Sequence, residues 1–135
     1  MENILTIQRG AEVYAMFFRG TIESAGARFL TKQTDEFQVG VLQRPKGYTV
    51  PAHLHPRVEH TIYGVSEFLY LEKGRLRVTV FDEEWNAIGT EELTGGEFLL
   101  FLRGGHEIEM LEECRILEVK QGPYPGDTAA KVFRG

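Results

Sequence analysis

The rhythm of this chain limits what it can fold into. Apolar or alternating runs stay short, and each is closed by glycine, proline or an acidic cluster. ARFLTK (27–32), FQVGVLQR (37–44), EFLYLEKG (67–74), RLRVTVF (75–81), EFLLFL (97–102), HEIEML (106–111) and CRILEVK (114–120) carry the β-branched and aromatic content of strands. Between them RPKG, EKG, DEEWN, TGG, RGG and LEE read as turns or hairpin loops. Many closely spaced strands joined in this way predict an all-β chain, an antiparallel sandwich or barrel. GAEVYAMFFRG (10–20) fits a helix or an edge strand equally well. The C-terminal QGPYPGDTAAKVFRG, dense in glycine and proline, is expected to wrap over the surface.

At 135 residues the chain is expected to form one domain, 1–135, with room for a hydrophobic core. Its formal net charge of -5 argues against nucleic acid as a partner, since phosphate binding asks for a basic face. No apolar run is long enough to span a bilayer, and MENILTIQRG lacks the pattern of a secretory signal, so no membrane association is expected. Cys114 is the single cysteine; no intrachain disulfide can form, and a reducing, cytoplasmic location is expected.

Strand alternation decides which side chains share a face. Glu67 falls with Leu69 and Leu71, opposite Phe68 and Tyr70; His106 falls with Ile108 and Met110. Both polar residues therefore sit on the apolar faces of their strands, where they need partners. His53 and His55 point to one side of an extended GYTVPAHLHP, with Leu54 on the other. Three imidazoles and a carboxylate converging on an interior suit a divalent transition metal and leave positions open for water or ligand. An isolated His-x-His is more often a strand-end pair; here three of the chain's four histidines fall at matching positions.

These residues resemble the two motifs of the cupin superfamily. Gly47, His53, His55, Glu67 and Gly74 match the first, with the Gly-to-His and Glu-to-Gly intervals kept; Gly96, Gly104 and His106 match the second. The resemblance covers residues 40–120 and implies a small antiparallel β-barrel or jelly roll in which His53, His55, Glu67 and His106 hold Zn, Fe, Mn, Ni or Co. Several features depart from the pattern. Eleven residues, PRVEHTIYGVS, separate His55 from Glu67 where the family carries a much shorter gap, and Glu59 stands at the family's usual distance as a rival ligand. Leu102 stands in place of the second motif's proline, the interval before His106 is one residue short, and Met110 replaces its asparagine. The 56–66 insertion is expected either to form a lid bringing Arg57, His60 and Tyr63 to the mouth, or to be an ordinary variable loop.

The tail, GGHEIEMLEECRILEVKQGPYPGDTAAKVF, is similar to the ending of small single-domain cupin metalloproteins often encoded beside surface-sugar biosynthesis enzymes. That resemblance implies a homodimer and a small polar ligand such as a sugar or nucleotide-sugar. An open metal position would serve an isomerase, lyase or oxygenase, with Tyr70, Tyr124, Lys120 or Arg103 as candidates for proton transfer or anion binding. Two other functions are compatible with the chain: a metal-containing binding or sensing module without turnover, and a metal-free sugar isomerase or epimerase working with an acid–base pair on the same barrel.

Overall fold

A computed structural model describes residues 3–135 and divides them among ten strands and one short helix. In chain order the strands are β1 (Ile4–Arg9), β2 (Glu12–Phe18), β3 (Gly26–Phe29), β4 (Gly40–Gln43) and β5 (Glu67–Lys73). They continue with β6 (Arg75–Phe81), β7 (Ala87–Thr94), β8 (Phe98–Phe101), β9 (Gly105–Met110) and β10 (Arg115–Lys120), before α1 (Asp127–Ala130). All pairings are antiparallel. Within the segment 10–20, expected as a helix or an edge strand, Glu12–Phe18 form the strand β2, which lies between β1 and β8 rather than at an edge.

The strands form a five-stranded sheet, β1-β2-β8-β5-β10, a three-stranded sheet, β7-β6-β9, and the β3-β4 hairpin. The expected closed barrel is not formed among the described residues. The edges β1 and β7 approach each other with the Ile7 side chain packed on Gly89, and no strand pairing joins the two sheets.

Two cores explain the layering. Ile7, Phe17, Leu69, Leu71 and Leu99 of the larger sheet meet Leu76, Val78, Val80 and Leu93 of the smaller one. On the opposite face of the larger sheet, Phe18 and Leu100 pack with Leu30, Val39 and Val41 from the hairpin region. Leu99 and Leu100 are adjacent in sequence and both fully buried, one in each core. The two-sided apolarity of FLLFL is therefore satisfied within the chain. Burial of each such leucine contributes about 1.5–3 kcal/mol relative to exposure.

The connection β5–β6 crosses from one sheet to the other at Gly74, whose φ of 104° lies in the left-handed region. A Cβ there would lie 2.4 Å from the Glu113 carbonyl oxygen and 2.8 Å from Cys114 Sγ. The β9–β10 connection crosses between the sheets at the same corner, and glycine lets the two chain segments touch.

Candidate functional site

Glu67 opens β5, paired across the sheet with Phe101 of β8 on one side and Lys120 of β10 on the other. It shares the inward face with Leu69 and Leu71, as strand alternation requires. His106 comes from β9 of the opposite sheet, paired with Val80 of β6. Its Nε2 lies 3.8 Å from Glu67 Oε2. The imidazole lies flat on the Phe101 ring, with centroids 3.8 Å apart and planes 6° apart. Each sheet thus contributes one polar group, and the two meet where the layers separate.

Burial pushes the Glu67 carboxyl up to about 7, helped by a hydrogen bond and like-charge repulsion from Glu118; Lys120 and Lys131 act in the opposite sense. Burial holds His106 below the ordinary histidine range, with Glu118 opposing and Lys131 adding to the effect. Near neutral pH the site therefore holds a neutral imidazole beside a carboxyl poised between its two protonation states. Lys120, one of the residues expected to serve proton transfer or anion binding, acts on Glu67 from β10, while Glu118 was not anticipated. The signal for Glu118 was the alternation of CRILEVK, which aligns it with Ile116, a residue packed on the inner core.

A cavity of about 850 Å³ opens over this pair. Phe81, Trp85, Phe101 and Phe133 supply aromatic wall, while Glu83, Arg103 and Glu107 supply polar wall. The C-terminal segment runs along the rim, and Arg134 places its guanidinium 5.0 Å from the Phe81 ring centroid. Arg103 is held in place by the Val13 carbonyl at 2.9 Å and by Glu12 at 2.6 Å.

His53 and His55 lie elsewhere, on an exposed stretch with no regular secondary structure. Their rings contact each other edge-on, with centroids 5.2 Å apart. The Nδ1–H of His53 donates to the Pro51 carbonyl at 2.7 Å. The expected four ligands are thus arranged as two pairs, Glu67 with His106 and His53 with His55. Among the described residues no group of three or more His, Cys, Asp or Glu side chains is arranged to hold a metal ion.

Glu67 lines the cavity and the rival Glu59 does not. Of the residues expected at the mouth, Tyr63 reaches the cavity wall, while Arg57 and His60 are exposed and do not line it. Tyr70 falls on the opposite strand face from Glu67, and the Tyr124 hydroxyl donates to Asp127. No helix among the described residues is long and apolar enough to cross a membrane. The chain matches no protein-family model, no curated protein and no solved structure.

Proposed function

We propose that this chain is a cupin-like protein that binds a small polar ligand in the cavity over Glu67 and His106, at a divalent transition metal ion. The observation that carries the reading is the 3.8 Å approach of Glu67 Oε2 to His106 Nε2 from opposite sheets. Two ligands on one metal, each about 2.0–2.2 Å from it, stand roughly 3–3.5 Å apart, so a small side-chain rotation brings this pair into range. The depressed basicity of His106 keeps its imidazole neutral, as ligation requires. His53 and His55 would complete the set if the segment carrying them folds inward. The hydrogen bond from His53 Nδ1–H to a backbone carbonyl is of the kind that orients a histidine for metal binding. When bound, the ion would act as a Lewis acid on a ligand oxygen. Glu67, as the carboxylate, and His106, as the neutral imidazole, would hold the ion, and Phe101 would fix the orientation of the His106 ring.

A second reading is favoured by the protonation state of the pair. A carboxyl titrating near 7 next to a neutral imidazole is an acid–base couple that needs no metal to move a proton on and off carbon or oxygen. Elemental analysis of protein purified without a histidine tag or chelator separates the two. About one equivalent of metal per chain, lost in His106→Ala, supports the first reading. No metal, and none taken up from added Zn, Mn, Fe, Ni or Co, removes it and leaves the acid–base couple.

A further inference from the structure

The β6–β7 turn, DEEWN, is built around the buried Asp82. Its Oδ1 accepts from the Glu84 and Asn86 backbone N–H groups, each at 2.9 Å, and Oδ2 accepts from the Asn86 side chain at 3.0 Å. Arg9 of β1 pairs with the same carboxylate. Trp85 N–H donates to the Asp82 carbonyl at 3.1 Å, and the Asp82 N–H donates to the Asn86 carbonyl at 3.0 Å. This pattern puts position 85 in the left-handed backbone region, with φ of 67°. Hairpin loops of this kind ordinarily carry glycine or asparagine there, because a bulky side chain is strained in that conformation. Trp85 is the only described non-glycine residue with positive φ.

The strained residue is also the chain's single tryptophan, and its indole lines the cavity. One edge of the indole lies over Gly105, the neighbour of His106; a Cβ at Gly105 would come 3.0 Å from Trp85 Cζ3. Phe81 braces it edge-on, with ring centroids 5.9 Å apart. Even so, 37% of the residue's surface is left open. A residue placed only for packing would not need an unfavourable backbone and so much open surface. Strain of this kind is kept where the surrounding structure fixes it and function uses it.

We infer that Trp85 is a ligand-stacking residue and that the ligand it takes is a sugar ring. A pyranose has an apolar C–H face that lies on an aromatic ring and a hydroxylated edge that needs hydrogen-bond partners. Trp85 supplies the first. Glu67, Glu107 and His106, all lining the same cavity, supply the second. The inference rests on the reading of this cavity as a small-ligand site, and it does not depend on a metal being present.

The single tryptophan makes the test direct. Intrinsic fluorescence of the native protein is followed against glucose, galactose, mannose, N-acetylglucosamine and their uridine-diphosphate conjugates, with uridine diphosphate alone as a further titrant. A saturable change in Trp85 emission with at least one sugar or conjugate, and none with uridine diphosphate alone, is the expected result. No change with any of them, or an equal change with uridine diphosphate alone, overturns it. Trp85→Gly suits the left-handed backbone and separates stacking from folding; far-UV circular dichroism checks that it folds, and Trp85→Phe keeps a ring if it does not. Calorimetry on the folded variant should show roughly ten-fold weaker binding or more for Trp85→Gly. Binding of the sugar as tight as in the parent also overturns it. Metal content, measured separately, tells a failure of this inference from a failure of the metal reading.

Discussion

Phe101 and His106 come from different sheets and stack face to face, 3.8 Å between ring centroids and 6° between planes. The contact closes one face of the imidazole to solvent and holds its Nε2 edge towards Glu67. It also contributes to the burial that keeps His106 less basic than an exposed histidine. Phe101→Ala should therefore do two things at once. It should lower stability by about 3 kcal/mol, because Phe101 is almost wholly buried, and it should move the His106 titration back up towards the ordinary histidine range. Urea unfolding reads the first effect and a ¹H–¹³C NMR titration of the imidazole reads the second. A loss of stability with an unchanged His106 titration would mean that the ring contributes packing without tuning the imidazole.

The raised Glu67 pKa makes stability depend on pH with a definite sign. The group titrates at about 7 in the folded chain against a reference of 4.5. Below about 4.5 both states hold the proton and the contribution is fully present. As pH rises from there to about 7 the unfolded chain ionises first, so the contribution falls away. Glu67→Gln cannot ionise and should gain on the parent across that window, by an amount on the order of 2 kcal/mol at pH 8. His106 titrates in both proteins, so its own effect largely drops out of the difference. Denaturant unfolding at pH 4, 6 and 8 checks this; a gap that stays constant across the three would remove the claim that Glu67 is held protonated.

The same residues show what could be read from sequence and what could not. Glu67 and His106 were legible because single polar residues interrupted otherwise apolar strand faces, Glu67 with Leu69 and Leu71, and His106 with Ile108. β1 keeps its own period; the bulge where it pairs with β2 puts the extra residue, Tyr14, on β2 and breaks the alternation there. β7, AIGTEELT, looks too polar for a strand; it is an edge strand whose Glu91 and Glu92 are satisfied by Arg19 at 2.9 Å and Arg75 at 2.8 Å. In β2 every residue from Tyr14 to Phe18 is buried, so neither period could show. The approach of Glu118 to Glu67 depends on which strand lies beside β5, and a pattern within one strand does not carry that pairing.

The split of the expected ligands into two pairs gives the metal reading its sharpest test. If His53 and His55 join Glu67 and His106 around an ion, then His53→Ala, His55→Ala and His106→Ala should each weaken Zn or Mn uptake by roughly a hundredfold while far-UV circular dichroism stays unchanged. Glu59→Ala should leave uptake as it is, since Glu59 does not line the cavity. Uptake should also strengthen as pH rises to about 7, because the ion competes with the proton on Glu67. Parent-like affinity in both His53→Ala and His55→Ala, with loss only in His106→Ala and Glu67→Ala, would confine the site to the cavity pair.

Gly74 links the motif pattern to a physical requirement. The resemblance puts it at the end of the first motif, at a fixed interval from Glu67, and it sits where β5 leaves one sheet for the other. Its φ of 104° is open to glycine and strained for other residues. A Cβ would meet the Glu113 carbonyl oxygen at 2.4 Å, a contact with backbone that no side-chain rotation relieves. Gly74→Ala should therefore cost about 2–3 kcal/mol, more than an ordinary glycine-to-alanine change in a loop. Because Gly74 fixes the corner from which β5 and β6 diverge, the variant should also disturb the distance between Glu67 on β5 and the sheet that carries His106. Gly96→Ala is the control: its φ of 95° is similarly left-handed, but a Cβ there meets nothing within 4 Å. Thermal unfolding of the two variants should show Gly74→Ala clearly the less stable. Equal losses would assign the effect to backbone conformation alone and remove the packed corner from the account.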